Sequence, residues 1–214
     1  MKKYIKLMGN NGSGKTYTVR KILEQLTGKS PDFMENIYVD NMLCYHKCTC
    51  GKYGAMGKFR EGLKCCGMDK ISGKSKDGES FAYLDRLQRN VDKIRPDVLF
   101  DEGLINITLK TLEGISKFTD FYLFYLDYPI ELCRKSIIEL RQGKVSEGLL
   151  ERRKKSHDNI YTKINVKKYG LNGKTVVDNM KTIIEITGIT PCRCMATKSV
   201  NPQQVLIEET WRDV

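Results

Sequence analysis

A glycine-rich loop near the N-terminus constrains this chain more than any other feature. Residues 9–16 match the pattern G-x-x-x-x-G-K-[ST], and they read Gly9, Asn10, Asn11, Gly12, Ser13, Gly14, Lys15 and Thr16. An apolar stretch at 4–8 precedes the loop, and a helical pattern begins near Tyr17. In this strand–loop–helix context, such a loop surrounds phosphates with its backbone N–H groups. The sequence therefore predicts a site for a nucleoside triphosphate.

The residues of the loop are expected to have separate roles in binding the nucleotide. The positive end of the following helix adds to the backbone N–H groups. Lys15 is expected to reach the β- and γ-phosphates and to act in catalysis, and the Thr16 hydroxyl is expected to ligate Mg²⁺. We therefore predict ATP and Mg²⁺ as cofactors. The predicted nucleotide-binding residues in the loop are Asn11, Gly12, Ser13, Gly14, Lys15 and Thr16.

Length and composition favour an intracellular enzyme. The 214 residues are enough for one domain, or for one domain with an inserted module. No apolar run approaches the roughly 20 residues that span a bilayer, and the start of the chain shows no signal-peptide pattern. We expect a cytoplasmic protein, in the host cytoplasm if it is viral. Its eight cysteines are then expected to be reduced.

Positive charge is concentrated in one part of the chain. The net charge is +11, and residues 134–174 hold twelve Lys and Arg against four acidic residues. Such clustering is typical of a protein that binds a polyanion, which favours a nucleic acid. A basic lid that closes only on nucleotide phosphates is the alternative.

Strand-like apolar runs alternate with helical patterns, which favours an α/β fold with a central parallel sheet. Strands are predicted at 4–8, 36–42, 97–101, 121–126 and 175–177. Helices are predicted at 15–26, 81–94, 129–141 and 148–169. Residues 44–80 break the alternation, because glycine recurs without a periodic apolar face. We therefore interpret 44–80 as an insertion in a domain over 1–190, with 191–214 as a C-terminal extension.

Two acidic residues follow a predicted buried strand. The strand at 97–101 ends in Asp101, and Glu102 comes next. A carboxylate at the end of a strand beside the first one can hold Mg²⁺ directly or through water. We predict a catalytic role for one of this pair, with Asp101 as the metal ligand and Glu102 acting on the acceptor.

Residues 126–134 carry a resemblance to a known family. They resemble the strand–Asp-x-Pro–helix element of small P-loop kinases, because an apolar strand is followed by Asp127, Pro129 and a helix. That group includes nucleoside, nucleoside monophosphate and polynucleotide kinases, and the resemblance covers about 1–28 and 97–180. It implies a three-layer P-loop fold and an arginine-rich lid at about 141–156. The lid residues implied are Arg141, Lys144, Arg152 and Arg153.

The resemblance also implies a catalytic base and an acceptor site. In such kinases a carboxylate near the second strand receives the proton of the acceptor hydroxyl, and Asp40 matches that position. Asp69 is the rival, because it lies in the 44–80 insertion. The insertion follows the second strand, where these kinases commonly build the acceptor site. We therefore expect it to bind the acceptor.

Cysteines in the insertion raise the possibility of a zinc site. Cys48, Cys50, Cys65 and Cys66 can supply four thiolate ligands, although their spacing differs from two C-x-x-C knuckles. The alternative is that they are small apolar residues that fill the core. A further pair, Cys192 and Cys194, is a weaker candidate for zinc by sequence alone.

Together these patterns predict an ATP-dependent phosphotransferase. The basic stretch favours DNA as the partner that carries the acceptor hydroxyl. In overall character the chain resembles bacteriophage kinases that act on DNA, including those that phosphorylate hydroxymethylated pyrimidines during base hypermodification. A deoxynucleoside monophosphate kinase that acts on free nucleotides is the alternative. A P-loop ATPase or regulatory module is the alternative of another class.

Overall fold

The computed structural model describes residues 2–39, 42–56, 59, 96–103, 108–140, 144–171 and 175–197. Within these ranges the strands are β1 Lys3–Gly9, β2 Glu35–Val39, β3 Met42–Lys47, β4 Tyr53–Met56, β5 Val98–Asp101, β6 Asp120–Leu126 and β7 Lys167–Leu171. The α-helices are α1 Lys15–Thr27, α2 Leu109–Ser116, α3 Ile130–Lys135, α4 Leu149–Lys163 and α5 Val176–Thr187. A π-helical turn at Ser136–Leu140 continues α3. None of the described helices combines the length and the apolarity that crossing a membrane requires.

The strands form one sheet in the order β2-β3-β4-β5-β1-β6-β7. β1 lies between β5 and β6 and is parallel to both. β4 extends the parallel part on one side and β7 extends it on the other. β3 pairs antiparallel with β4, and β2 pairs antiparallel with β3. The predicted central parallel sheet is confirmed, with an antiparallel extension at one edge.

Helices cover both faces of the sheet, so the fold has three layers. Alternate residues of β1 point to opposite faces, as they do in any strand. Ile5 belongs to the core that includes Ile22 of α1 and Ile183 of α5. Tyr4 belongs to the core on the other face, which includes Leu112 of α2 and Ile160 of α4. Both core layers are built on the same central strand, which fixes the position of the loop that follows it.

Two segments near the C-terminus differ from the sequence prediction. The helix predicted at 148–169 ends at Lys163, and 167–171 forms the edge strand β7. The strand predicted at 175–177 is the start of α5 instead. The Thr175 hydroxyl accepts a hydrogen bond from the N–H of Asp178, whose carboxylate accepts one from the N–H of Thr175. This capping box begins a helix despite the β-branched residues, because it satisfies N–H groups at the helix terminus.

The start of the predicted insertion is part of the sheet. β3 and β4 fall within 42–56, a stretch that the sequence pattern did not predict as strands. They pair with each other, and β4 also pairs with β5, a contact between distant residues that is absent from local periodicity. The rest of the insertion, apart from Phe59, and the helix predicted at 81–94 lie outside the described residues.

A buried ion pair joins the two central strands. Lys6 of β1 lies opposite Asp101 of β5 in the parallel register. The Lys6 Nζ atom is 2.8 Å from Asp101 Oδ2, and the two side chains are only 2% and 6% exposed. Lys6 Nζ also donates to the carbonyl oxygen of Gly103, and the Tyr4 hydroxyl donates to Asp101 Oδ2. The pair therefore fixes the end of β5 against the centre of the sheet.

Replacing Lys6 with methionine should destabilise the protein strongly. Lys6→Met leaves the buried Asp101 carboxylate without its cation, so we expect the free energy of unfolding to fall by roughly 3–5 kcal/mol. Urea unfolding followed by circular dichroism measures this change. Lys21→Met is the matched control, because its pair with Glu24 has side chains that are 42% and 38% exposed. The control should lose less than about 1 kcal/mol, and equal losses in the two variants would contradict a structural role for the buried pair.

Candidate active site

The predicted phosphate loop forms the tight turn between β1 and α1. Gly12 has a φ angle of +83°, in the left-handed region that favours glycine. A Cβ atom at Gly12 would lie 2.3 Å from the carbonyl oxygen of Cys133 in α3, so a larger residue does not fit. Gly14, with φ +81°, caps the start of α1. The loop therefore places its N–H groups beside the positive N-terminal end of α1, where phosphate oxygens bind favourably.

Several buried polar atoms of this loop lack a partner within the described part of the chain. They are Asn10 Oδ1, Asn11 Oδ1 and Ser13 Oγ. Buried polar atoms are nearly always hydrogen-bonded in folded proteins. Ordered water can donate to the two amide oxygens, and the Ser13 hydroxyl can donate to a phosphate oxygen, which fits a loop built to bind phosphate.

Lys15 lies across the loop and is buried. Its Nζ atom donates to the carbonyl oxygens of Gly9 and Asn10, at 3.0 and 2.8 Å. The residue is 5% exposed. An ammonium held in this position over the loop is the group expected to meet the β- and γ-phosphates of a nucleotide.

The carboxylate that reaches the loop belongs to Glu102. The Thr16 hydroxyl donates to Glu102 Oε2 at 2.9 Å. Glu102 directly follows β5 and is 1% exposed. Because β5 is parallel to β1, its carboxyl end and the loop lie at the same edge of the sheet. This contact joins the two oxygen groups that are best placed to hold Mg²⁺.

Asp101, the predicted Mg²⁺ ligand, has protein partners on both carboxylate oxygens. Oδ2 accepts hydrogen bonds from the Tyr4 hydroxyl and from Lys6 Nζ, at 2.7 and 2.8 Å. Oδ1 accepts from the N–H of Gly103 at 3.0 Å. The structure thus gives Asp101 a positioning role at the end of β5, and it gives Glu102 the contact with Thr16.

The helix α4 carries two of the four predicted lid residues, Arg152 and Arg153, and lies beside the loop. Asn10 Nδ2 donates to the carbonyl oxygen of Leu150 at 3.2 Å, which ties the loop to the first turn of α4. Arg152 is exposed, whereas Arg153 is half-buried. Arg153 Nη1 is buried, and no described residue accepts a hydrogen bond from it. The two predicted lid residues therefore differ: Arg153 has a buried, unsatisfied donor, and Arg152 faces solvent.

His157 is a residue of this site that the sequence reasoning missed. It lies one helical turn after Arg153 on α4 and is 4% exposed. Burial, together with the positive charges of Lys15 and Arg153, lowers the pKa of His157 to about 4, against a weaker opposing effect of Asp158. The interaction places Lys15, Arg153 and His157 in one region. The i, i+4 spacing from Arg153 is the signal in the sequence that could have found it.

Several other predicted site residues are not among the described ones. Asp40, Asp69, Arg141, Cys65 and Cys66 lie outside the described residues. Their roles stay predictions. The other predicted zinc ligands, Cys48 and Cys50, lie in the turn between β3 and β4, and the sulfur atoms around them are described below.

The residues at the loop fit a magnesium ion bound with a nucleotide. Mg²⁺ prefers oxygen ligands and commonly takes one or two protein groups together with phosphates and water. The Thr16 hydroxyl and the Glu102 carboxylate offer two oxygen groups 2.9 Å apart at the end of the phosphate loop. This donor set matches the preference of the ion.

Comparisons with known proteins gave likenesses of structure only. No protein-family model and no curated protein matches the chain. A sugar kinase from Janibacter sp. HTCC2649 is similar, at 11% identity and TM-score 0.47, covering 89% of this chain and 97% of that one. Shikimate kinase from Acinetobacter baumannii, in complex with shikimate, has 18% identity and TM-score 0.48, covering 86% and 92%. Deoxyadenosine kinase from M. mycoides, with its products dCMP and dCDP, has 13% identity and TM-score 0.48, covering 86% and 98%.

The fold and the loop together define the class of this protein. A mostly parallel sheet with helices on both faces has a glycine-rich loop after its central strand, directly before a helix. The loop carries Lys15 and Thr16 at the positions that bind nucleotide phosphates and their metal ion. The protein has a three-layer α/β fold with a P-loop sequence motif after its central strand, as the sequence predicted.

Replacing His157 should change how the stability depends on pH. The pKa of His157 is about 4 in the folded protein, against an ordinary value of 6.5. As the pH falls, the unfolded chain therefore binds a proton at His157 before the folded protein does. The stability that neutral His157 contributes is complete above pH 6.5 and is lost as the pH falls towards 4. The loss should reach about 2 kcal/mol by pH 5. His157→Gln should remove that part of the slope in urea unfolding between pH 7 and 5, and parallel curves for the two proteins would contradict it.

Proposed function

We propose that this protein is an ATP-dependent phosphotransferase that moves the γ-phosphoryl group to a hydroxyl acceptor. The observation that carries the proposal is the set of groups around the phosphate loop. Lys15 lies over the loop, Glu102 contacts Thr16 from β5, and Arg153 of α4 has a buried donor in the same region. Phosphoryl transfer depends mainly on positioning and on stabilising the charge of the transferring group, and these groups supply both.

Each of these residues has a definite task in such a reaction. Lys15 and Arg153 bring positive charge to the phosphoryl oxygens, where negative charge is spread in the transition state. Thr16 and Glu102 are the residues that would hold Mg²⁺, which neutralises phosphate charge when bound. His157 stays neutral above its low pKa, so it adds no further cation to the region at pH 7. It packs edge-on against Tyr125 and helps to position α4.

Transfer to an acceptor is favoured over simple hydrolysis because α4 lies close to the loop. Asn10 Nδ2 donates to the Leu150 carbonyl oxygen, and the Arg153 Nη1 atom and the His157 side chain are buried on the following turns of α4. Side chains that cover the phosphates exclude water, which otherwise competes with the acceptor. An ATPase or regulatory module requires water at this position instead. Asp40 and Asp69 remain the two candidates for the base that receives the acceptor proton.

Two acceptor classes are each favoured by a different observation. Arg152 and Lys155 lie exposed on α4, where they can meet the backbone of a DNA strand. We therefore retain a DNA-borne hydroxyl, such as that of a hydroxymethylated pyrimidine in phage DNA, as one candidate. The other is a free nucleotide, in particular a deoxynucleoside monophosphate.

The pairing of charges within residues 134–174 favours the free nucleotide. Lys154 pairs with Asp127, and Arg134 pairs with Glu151 at 2.8 Å. Lys167 pairs with Asp120 at 2.7 Å near the start of β6, away from the carboxyl edge that bears the loop. These internal partners reduce the positive charge that is available to a long polyanion. A free nucleotide needs only a few cations.

Removing the Glu102 carboxylate should raise the Mg²⁺ concentration that the reaction needs. Glu102→Gln keeps the size of the side chain and loses its charge, so we expect a shift of at least tenfold in the Mg²⁺ concentration for half-maximal activity. Asp101→Asn is the matched control, because both Asp101 oxygens have protein donors. It should lower stability and leave the Mg²⁺ dependence within about twofold. The reverse pattern would assign the metal to Asp101.

The acceptor class can be measured directly with labelled ATP. One enzyme preparation should be assayed with deoxynucleoside monophosphates and with oligonucleotides of increasing length, with and without hydroxymethylated pyrimidines. Lys15→Met serves as the inactive control, because it removes the ammonium over the loop. Equal or better transfer to mononucleotides supports the free-nucleotide acceptor.

Salt dependence separates the two classes independently. A protein that contacts six DNA phosphates should lose about a thousandfold in affinity between 50 and 200 mM salt. Activity that rises with strand length and falls steeply with salt supports DNA. Acceptor-independent release of phosphate at the full rate would overturn the transferase proposal in favour of the ATPase.

A further inference from the structure

Four cysteines from two distant parts of the chain meet in the folded protein. Cys48 and Cys50 lie in the turn between β3 and β4, and Cys192 and Cys194 follow α5. Their Sγ atoms all lie within 4.8 Å of one another. Cys48 and Cys192 are buried, whereas Cys50 and Cys194 are half-buried. The chain thus contributes two Cys-x-Cys pairs to one cluster at the protein surface.

The spacing of the sulfur atoms fits a tetrahedral metal ion. Zinc binds thiolates at about 2.3 Å, and a regular tetrahedron of that size has edges of about 3.8 Å. The Sγ atoms of Cys48 and Cys50 are 3.4 Å apart, and no pair in the cluster exceeds 4.8 Å. Small rotations of the side chains bring these distances to the regular value. A single turn therefore supplies two adjacent ligands, although Cys-x-Cys is tighter than the usual spacing of zinc ligands.

Groups around the cluster are arranged as partners for charged sulfur atoms. The N–H of Tyr53 donates to Cys48 Sγ at 3.2 Å. Thr49 Oγ1 lies 3.4 Å from Cys194 Sγ, at hydrogen-bond distance. Outer partners of this kind orient metal ligands and stabilise their charge. Lys52 follows Cys50 by two residues and Arg193 lies between Cys192 and Cys194, so each pair has a positively charged residue near it in the sequence.

We propose that Cys48, Cys50, Cys192 and Cys194 bind one structural zinc ion. Four thiolates in a tetrahedral arrangement favour zinc over magnesium and calcium, because those two ions require oxygen ligands. All four positions around the ion are filled by protein, so no place is left for water or substrate. Such closed sites stabilise folds and do not catalyse reactions. Binding displaces the protons of the thiols that are protonated before the metal arrives.

The position of the cluster shows what the ion would hold together. Tyr53 of β4 pairs with Val98, the first residue of β5, so the turn lies at the edge where the parallel strands begin. The phosphate loop lies at the opposite edge, after the end of β1. The N–H of Cys192 also donates to the carbonyl oxygen of Leu26 in α1. Zinc would therefore fasten the segment after α5 to the antiparallel extension of the sheet and to α1.

This set of ligands differs from the one that the sequence predicts. The sequence pattern grouped Cys48 and Cys50 with Cys65 and Cys66, whereas the fold brings Cys192 and Cys194 to them. Residues 144 positions apart in the chain have no spacing that reveals their contact. The C-terminal pair therefore changes from a weak candidate to half of the proposed site.

Metal analysis of the purified full-length chain tests the proposal. Elemental analysis under reducing conditions should find one zinc ion per wild-type chain, and Cys192→Ser/Cys194→Ser should lose at least nine-tenths of it. Cys65→Ser/Cys66→Ser is the matched control and should retain the full amount. Zinc that persists in the first variant, or that is lost in the control, overturns the proposed ligand set. A folded wild-type protein without zinc overturns the site itself.

Cobalt substitution keeps the test decisive if the double variant does not fold. The cobalt-loaded wild-type chain should show the strong thiolate-to-cobalt absorption of a four-sulfur tetrahedral site. Cys194→His should still bind one ion, with that absorption reduced by about a quarter because one of the four thiolates is replaced. An unchanged spectrum in Cys194→His would overturn the assignment. Mass spectrometry that finds Cys48 linked to Cys50 by a disulfide in the protein as purified would also overturn it.

Discussion

The approach of the phosphate loop to α3 is the constraint on which the site depends. Five residues, 10–14, connect the end of β1 to the start of α1. Within them, Gly12 passes so close to the Cys133 carbonyl that a single added carbon would collide with it. The loop is therefore held between the central strand and α3 and cannot shift without moving a helix. A rigid loop presents its N–H groups in a fixed geometry, and phosphate binding then needs little reorganisation of the protein.

The charged residues around the loop divide into two groups with different tasks. Lys6 and Asp101 neutralise each other in the sheet and fix the end of β5. Lys15 and Arg153 bring two cations into one region, and burial together with these two charges lowers the pKa of His157, so the region disfavours a third positive charge. Like charges held together destabilise a fold unless an anion binds between them. A bound triphosphate, which the proposed function requires, would supply that anion and would connect the stability of the site to that function.

The two ends of the parallel strands have separate roles. The C-terminal end of β1 and β5 carries the loop and Glu102, and the N-terminal end of β4 and β5 carries the four cysteines, between β4 and the segment after α5. A metal ion at the four cysteines would stabilise the scaffold without touching the reacting groups. Catalytic and structural demands then fall on different residues. Such separation lets the residues at the loop keep polar atoms without hydrogen-bond partners, because the rest of the fold provides the stability.

Local patterns in the sequence determined the phosphate loop, the strand before it, the helix after it and the α/β class. These features depend on residues that are close in the chain: glycines with Lys15 and Thr16, and apolar runs such as 121–126. The capping box at Thr175 shows where local propensity alone was wrong, since hydrogen bonds at a helix terminus outweighed β-branched residues. The antiparallel strands β3 and β4 were missed because pairing with distant strands stabilises them.

Only the tertiary structure decided which side chains meet. It placed Glu102 rather than Asp101 against Thr16, because Asp101 is committed to Lys6 and Tyr4 across the sheet. It added His157 to the lid arginines by burying one face of α4, and it joined Cys192 and Cys194 to Cys48 and Cys50. Contacts between residues that are far apart in sequence arise from packing and strand order, and no local spacing encodes them.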